Sequence, residues 1–454
     1  MKYFLIVGAV LTVLVLLGLL IKAIPLLTAK PTIKVDYVTE YNKMTQPANY
    51  DPNENAAFDY EKAYEALVEM PQAFENNWHA WPGDLIDSEM GILRDWIGSN
   101  SETLMYLKEA VAKPYSWFER HSGEHALWNI ELPEVQTIRG CAYLMYLQAK
   151  LKAYEGDIEG GLEEALDLHK MGMHLLGPFT LVEQLVGTAM CSVSFNSAFS
   201  IVEKTRVGVE TLEQFQSKLE EQLHRSKPLD FSIGERIYGL DIGQRMFTDD
   251  GKGDGKLIPS KLVQYKKGSP ILQPISYIHA VLICIGHPGR RETGELFEKL
   301  YNEVIKLVET TPWELYDRGT SYENYLKELT EGNYYVNDGV ESIGKVCEIY
   351  QRHKISGDAL ITVVALLRHK ADMGKFPESL EELMRGNYIG KLPMDPYSPG
   401  GLVYRRTNGN FTLYSVGANF KDDGGVASNW GEGEQGGDQV FWPWYVTQQL
   451  KDKQ

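Results

Sequence analysis

Residues 135–176 read VQTIRGCAYLMYLQAKLKAYEGDIEGGLEEALDLHKMGMHLL, and this stretch sets the fold class. Cys141, Leu144, Leu147, Leu151 and Tyr154 recur at steps of three and four, the spacing that lines one face of an α-helix. Gly156-Asp157 interrupts the run, and Leu162, Ala165, Leu166, His169 and Met173 resume it. A helical hairpin over Val135–Leu176 is therefore expected. Gly160, Gly161 and Ala165 are small enough to let its two helices pack closely.

The same period runs outward in both directions, from about Ala56 to Tyr350. Ala57, Tyr60, Ala63, Tyr64 and Leu67 follow it, as do Leu93, Trp96 and Ile97, then Leu104, Leu107 and Val111. Pro71, Pro82, Pro114 and Pro133 punctuate these runs. Further helices are expected over Leu181–Glu203, Leu212–Arg225, Gly294–Glu309 and Tyr322–Leu329, and residues 228–292 read as less regular. The turn Tyr154-Glu155-Gly156-Asp157 looks like that of a tetratricopeptide repeat. No second copy follows at a period of about 34 residues, so the body is read as helical with one repeat-like hairpin.

The chain has 454 residues, 43% of them apolar and 24% charged, which suits a globular body with a buried core. It carries 45 basic and 62 acidic side chains, a formal charge of −17. Such a surface repels phosphate backbones, so nucleic acid is not an expected partner. Cys141, Cys191, Cys284 and Cys347 all sit in apolar, helix-like stretches without a CxxC pair. Buried free thiols are expected, since a chain this long does not need disulfides.

Phe4 to Ile21 reads FLIVGAVLTVLVLLGLLI and holds no charge. At about 1.5 Å rise per residue it spans roughly 27 Å, close to the hydrocarbon thickness of a bilayer. It exceeds the apolar region of a secretory signal, and Leu27-Thr28-Ala29 is a weak match to a cleavage site. The expected organisation is a transmembrane anchor at 1–22, a polar tether at 23–55 with Pro25, Pro31, Pro47 and Pro52, a helical domain at 56–350 and a smaller α+β module at 351–454.

That last module opens with a helix from Ser356 to Met373, capped by Ser356 or Asp358 and ended by Gly374. Phe376-Pro377-Glu378-Ser379-Leu380 starts a second short helix, with Pro377 in its first turn. Leu402-Val403-Tyr404 and Phe411-Thr412-Leu413-Tyr414-Ser415 read as two strands of an antiparallel hairpin joined around Asn408-Gly409. Trp430, Phe441, Trp442, Trp444 and Tyr445 make the tail aromatic, a pattern expected to pack under the sheet.

Residues 359–442 resemble the globular head of the major pseudopilins of type II secretion systems. The matching phrases are Gly374-Lys375-Phe376-Pro377-Glu378-Ser379-Leu380, Leu392-Pro393-Met394-Asp395-Pro396-Tyr397 and Tyr414-Ser415-Val416-Gly417, followed by Lys421-Asp422-Asp423-Gly424-Gly425. The whole layout is also similar to large uncharacterised membrane proteins of planctomycete-type bacteria. The pseudopilin resemblance implies a helix packed on a small antiparallel sheet, and calcium bound in the loop after it. By position Asp422 and Asp423 match the acidic turn, and Asp438 would close the site. The anchor departs from the family. Gly8 is followed by Ala9, Val10 and Leu11, and no acid lies between Lys2 and Lys22. Prepilin processing and assembly into a pilus are therefore not expected. Lys22, Lys30 and Lys34 after the apolar segment would by charge alone keep the body in the cytoplasm. The resemblance instead implies an inner-membrane protein with an extracytoplasmic body.

His121-Ser122-Gly123-Glu124-His125 fits an inverted zinc-protease pattern, which needs a helix to aim both histidines at one ion; a loop is the expected reading. Asp249-Asp250-Gly251-Lys252-Gly253-Asp254-Gly255 is similar to a calcium loop, but Lys252 and Lys261 occupy ligand positions of an EF-hand. Gly286-His287-Pro288-Gly289-Arg290-Arg291 reads as a salt-bridged turn. P-loop, dinucleotide and serine-hydrolase fingerprints are absent. The leading expectation is a membrane-anchored, non-enzymatic scaffold or adaptor of the cell envelope with protein partners. Its rivals are a metal-dependent hydrolase using His121, Glu124 and His125, and an envelope-polymer binding protein.

Overall fold

Leu26 is the first described residue to enter the core, where it joins the apolar cluster around Phe231, Met246 and Tyr301. The computed structural model describes residues 7, 14, 17–18, 21–75, 79–123, 125–268, 275–337, 339–407, 409–430 and 436–444. Of the apolar N-terminal segment, Val7, Leu14, Leu17, Gly18 and Ile21 are helical and exposed; the rest of the expected anchor lies outside the described residues. Helix α1 (residues 21–27) carries Leu26 to the body.

The segment expected to be a tether is docked along the body. Gln244 Oε1 accepts from Lys34 N and Val35 N at 3.2 and 3.3 Å, and its Nε2 donates to Val35 O at 2.8 Å. Asp36 then caps α2 (Tyr37–Thr45). Tyr41 donates to the buried Glu183 carboxylate at 3.2 Å, and Asn42 exchanges two 2.8 Å bonds with the Arg120 backbone. These partners lie far along the chain, so polar composition alone reads as a free linker.

Helices α3 (Ala57–Ala66), α4 (Gln72–Glu75), α5 (Asp87–Ser99) and α6 (Ser101–Ala112) pack with α7 (Pro133–Tyr154) around Tyr60, Leu93, Leu107 and Leu144. The hairpin forms as expected between α7 and α8 (Ile158–Met173). Gly156 turns the chain at φ +103°, and the Asp157 carboxylate accepts from Gly160 N at 3.0 Å. A Cβ on Gly161 would lie 2.6 Å from Ala149 O, so this glycine sets the closeness of the two helices.

Helix α9 (Leu181–Lys204) starts at a capping box between Thr180 and Glu183. It is long and apolar enough to cross a bilayer, yet 67% of its most apolar window is buried inside the protein. It is the core helix. It crosses α8 at two facing glycines: a Cβ on Gly187 would meet Gly172 O at 2.6 Å, and one on Gly172 would meet Cys191 Sγ at 2.6 Å.

A second core is built by α11 (Gly234–Met246), α12 (Pro259–Gly268), α13 (Tyr277–Gly286), α14 (Arg290–Glu309), α15 (Pro312–Asp317), α16 (Tyr322–Leu329) and α17 (Tyr334–Asn337), while α10 (Val209–Arg225) packs on α8 elsewhere. The stretch read as irregular thus holds three helices, whose apolar faces are broken by Gly and Pro.

Helix α18 (Val340–Met373) runs 34 residues and ties the cores together. Val340, Val346 and Cys347 belong to the second core, whereas Leu360, Val363 and Val364 belong to a third shared with α8, α9 and α10. The expected module boundary at 350/351 falls inside it. Ser356 is no cap: it lies mid-helix and its hydroxyl bonds back to Arg352 O at 2.8 Å. Gly374, at φ +74°, ends the helix as expected. Helix α19 (Leu380–Arg385) begins at Ser379 rather than at Pro377.

Strands β1 (Val403–Arg406), β2 (Phe411–Ser415) and β3 (Gln439–Trp442) form one antiparallel sheet in the order β1-β2-β3. β1 and β2 are the expected hairpin, turning at Gly409 with φ +86°. β3 is buried along its whole length, so it lacks the alternation that marks a strand. Its aromatics and Trp444 just beyond it enter the third core, where Trp442 stacks on Phe411 at 5.4 Å and Trp444 on Phe199 at 4.6 Å. The protein is thus mainly α, with a small antiparallel sheet near the C-terminus sharing its core with the helical body.

Gly187→Val is expected to lower stability by about 1–3 kcal/mol through overpacking. Gly91→Ala, in α5 with nothing within 4 Å of the added carbon, should instead stabilise by roughly 0.5–1 kcal/mol. Urea unfolding of both variants checks this; a tolerated valine would refute the crossing argument.

Candidate functional site at the junction of body and head

Where α10, α14, α18 and the 389–393 loop meet, they leave a cleft of about 480 Å³. Opposite charges line it in pairs: Lys354 reaches Glu309 at 3.2 Å, and Lys391 reaches Asp358 at 3.4 Å. Glu220 and His224 face it from α10, and Ile389, Gly390 and Pro393 from the head. Gln216 fastens this wall, donating to Tyr388 O at 2.7 Å and accepting from Arg368 at 3.0 Å.

His353, only 6% exposed, forms part of the cleft wall. Behind it stand His169 from α8 and Cys191 from α9, at 1% and 0% exposure. One ring nitrogen of each histidine and Cys191 Sγ all lie within 4.8 Å of one another. Glycine at 172 makes this possible, because any side chain there would strike the sulfur. Phe195, one turn beyond Cys191, stacks on both imidazoles at 5.2 Å. Gly357 clears room for that ring, since a Cβ there would stand 3.2 Å from it.

The hydrogen bonds assign the His169 tautomer. Nδ1 lies 2.8 Å from Gln222 Oε1, an acceptor, so Nδ1 carries the proton. Nε2 is then a lone pair, buried and without a hydrogen-bond partner among the described residues. Such an atom costs about 1–3 kcal/mol. Ser192 Oγ donates to Thr188 O and stands 3.4 Å from His353 Nδ1. Burial pushes the His169 imidazole down to about 4 and the His353 imidazole down to about 3. It also raises the Cys191 thiol far above its usual range. The cluster is two neutral imidazoles and one thiol, a donor set able to hold a metal ion.

Asp422, Asp423 and Asp438, the three carboxylates assigned to calcium, are each engaged by hydrogen bonds of their own. Asp438 is fully buried and accepts from Asp423 N at 3.2 Å and Gly425 N at 2.6 Å, while burial raises its pKa. Asp422 accepts from Tyr414 at 2.8 Å and is gripped by Arg405 at 2.8 and 3.1 Å. Asp423 accepts from Asn419 at 2.7 Å. The Arg405 guanidinium thus already pairs with Asp422, and calcium at that carboxylate would compete with it.

The inverted zinc pattern does not form its helix. His121 and His125 lie in a loop, His125 has φ +48°, and its ring faces Asp36 at 3.1 Å; Glu124 lies outside the described residues. Both histidines instead line a polar groove of about 790 Å³ with Tyr50, Phe58 and Glu61. The Asp249–Gly255 loop clasps the start of α14: Asp254 accepts from Arg291 N at 3.1 Å, and Arg290 pairs with Asp249 at 3.3 Å. This agrees with a salt-bridged turn.

No family model matches the chain, and neither a curated protein nor a solved structure matches it. No local motif in the sequence marks the His169, Cys191 and His353 cluster. His169 was visible only as a member of an apolar face, and nothing local joins it to Cys191 or His353. The one usable signal was a histidine on an otherwise buried stripe.

Acid sensitivity follows from the buried imidazoles. Below about pH 6.5 the unfolded chain takes up protons that the folded rings refuse. Stability is complete above that value and is lost as pH falls toward 4, by about 1.4 kcal/mol per unit for each ring. The urea midpoint should drop across this window, and less steeply in His353→Phe, whose ring can still stack on Phe195. An equal slope in both proteins would refute it.

Proposed function

We propose that the protein is a membrane-anchored, non-enzymatic scaffold or adaptor of the cell envelope, whose junction cleft seats a segment of a protein partner. The cleft carries the reading. It is lined by Lys354–Glu309 and Lys391–Asp358 pairs that a polypeptide bearing both charge signs can exchange with, beside apolar Leu223, Ile361 and Ile389. The pseudopilin-like phrases of the head and the apolar segment at residues 4–21 support an inner-membrane location with an extracytoplasmic body, linked to type II secretion-like machinery. Calcium at Asp422, Asp423 and Asp438 belongs to this proposal as a stabiliser of the head. An envelope polymer is a second reading, favoured by the groove where Tyr50, Phe58 and Phe118 stand among Asp36, Glu61 and Glu119, a mix suited to sugar rings and hydroxyls.

A photo-crosslinking residue at Ile389, in the full-length protein in its own membranes, tests the cleft. It should yield one discrete adduct that is absent at the exposed Met105 and lost on combining Lys354→Glu with Lys391→Glu. An adduct indifferent to the charge reversal would remove the cleft from the function. Topology has its own measurement. All four native thiols are buried, so an added Gln454→Cys gives a clean signal. It should react with a membrane-impermeant maleimide in intact cells; labelling only after lysis would place the body in the cytoplasm.

A further inference from the structure

Three helices each bring one nitrogen or sulfur donor to a common point behind the cleft. We propose that His169, Cys191 and His353 bind one thiophilic transition-metal ion, Zn²⁺ or Cu⁺, through two imidazole nitrogens and a thiolate. The site lies apart from the acidic loop of the head and does not depend on the adaptor reading.

The donor set selects the ion. It holds no carboxylate, so Ca²⁺ and Mg²⁺, which take oxygen, are poorly served. Two imidazoles and a thiolate suit zinc and monovalent copper. The orphaned Nε2 of His169 is the strongest observation. Gln222 fixes the opposite nitrogen as the donor, which is how outer partners orient ligating histidines, and the lone pair so exposed has no partner among the described residues.

The geometry is nearly closed. Ligand atoms on tetrahedral zinc stand about 3.3–3.6 Å apart, given Zn–N near 2.0 Å and Zn–S near 2.3 Å. The three atoms lie within 4.8 Å of one another, so closing the site takes movements of about 1 Å, within the reach of small χ rotations. The scaffold is rigid where it matters. Phe195 holds both rings at interplanar angles of 28° and 12°, and the donors sit on helices rather than loops. His353 belongs to the cleft wall, which gives the ion its way in. Binding breaks the Cys191 S–H bond. The thiolate stays on the ion, the proton passes to solvent, and no electron moves. Zn²⁺ takes a fourth ligand from water or from the cleft, whereas Cu⁺ is satisfied by three.

The test uses the full-length protein in mild detergent, stripped with chelator and titrated with Co²⁺ alone, then Zn²⁺ alone, then Cu⁺ alone. One equivalent of Co²⁺ should give a thiolate-to-cobalt charge-transfer band with the intense visible bands of a tetrahedral site, and Zn²⁺ should erase them. Cys191→Ser should abolish the charge-transfer band, and Gln222→Leu should weaken binding about 10–100-fold while keeping it. If Cys191→Ser fails to fold, the wild-type cobalt spectrum decides alone. Absence of that band together with no retention of Cu⁺ against a chelator overturns the proposal. So does stoichiometric binding that is unchanged in a folded Cys191→Ser protein.

Discussion

The close crossing of α8 and α9 is the constraint on which the rest depends. Gly172 and Gly187 face each other there, and each removes the carbon that would otherwise touch the partner's backbone carbonyl. The crossing keeps α9 buried although its composition would suit a bilayer. It also places Cys191 and Phe195 against the far half of α8, and leaves a face against which α18 can lie. Without this approach the three cores would not share their central helices, and the histidines would not meet.

Several polar groups buried beside this core are paired, and those pairs hold the peripheral segments. Arg120 and Glu183 form an ion pair with both side chains 3% exposed, joined by Tyr41 and Thr180. Such a pair contributes little net stability, but removing one partner strands a buried charge. It therefore works as a latch that fixes the N-terminal segment in one register on the body. Lys150 plays a similar part. Its fully buried ammonium, which burial pushes down to about 7, donates to the His79 and Ala80 carbonyls and lies 4.6 Å from the centre of the Tyr146 ring. The Nε2 of His169, by contrast, is a buried lone pair without a hydrogen-bond partner among the described residues.

Local features were legible in the sequence because short-range chemistry decides them. The hairpin appeared through period and small residues, and Gly156 and Gly374 adopt the positive φ values expected of a turn and a helix stop. The β1–β2 pair appeared through two strand-like runs joined at the turn dipeptide Asn408-Gly409. Features set by distant partners stayed hidden. Residues 23–55 looked like a tether because Gln244, Arg120 and Glu183 lie far along the chain. The extension of α18 back to Val340 hid behind Ser356, a cap-forming residue that here points its hydroxyl at its own helix. β3 hid because both its faces are buried.

The sequence alone determined a mostly helical, acidic chain with an apolar N-terminus, buried thiols and a small C-terminal sheet. These follow from periodicity, charge and turn chemistry, which act over a few residues. Only the tertiary structure decided that the C-terminal sheet and the helical body share one core, that Arg405 pairs with Asp422 of the acidic turn, and that two histidines and a cysteine converge behind a cleft. The first and the last depend on how three or more helices cross, and the second on a strand residue reaching a later loop. A crossing is fixed by which side chains are small enough to be passed, summed over surfaces that no single stretch contains.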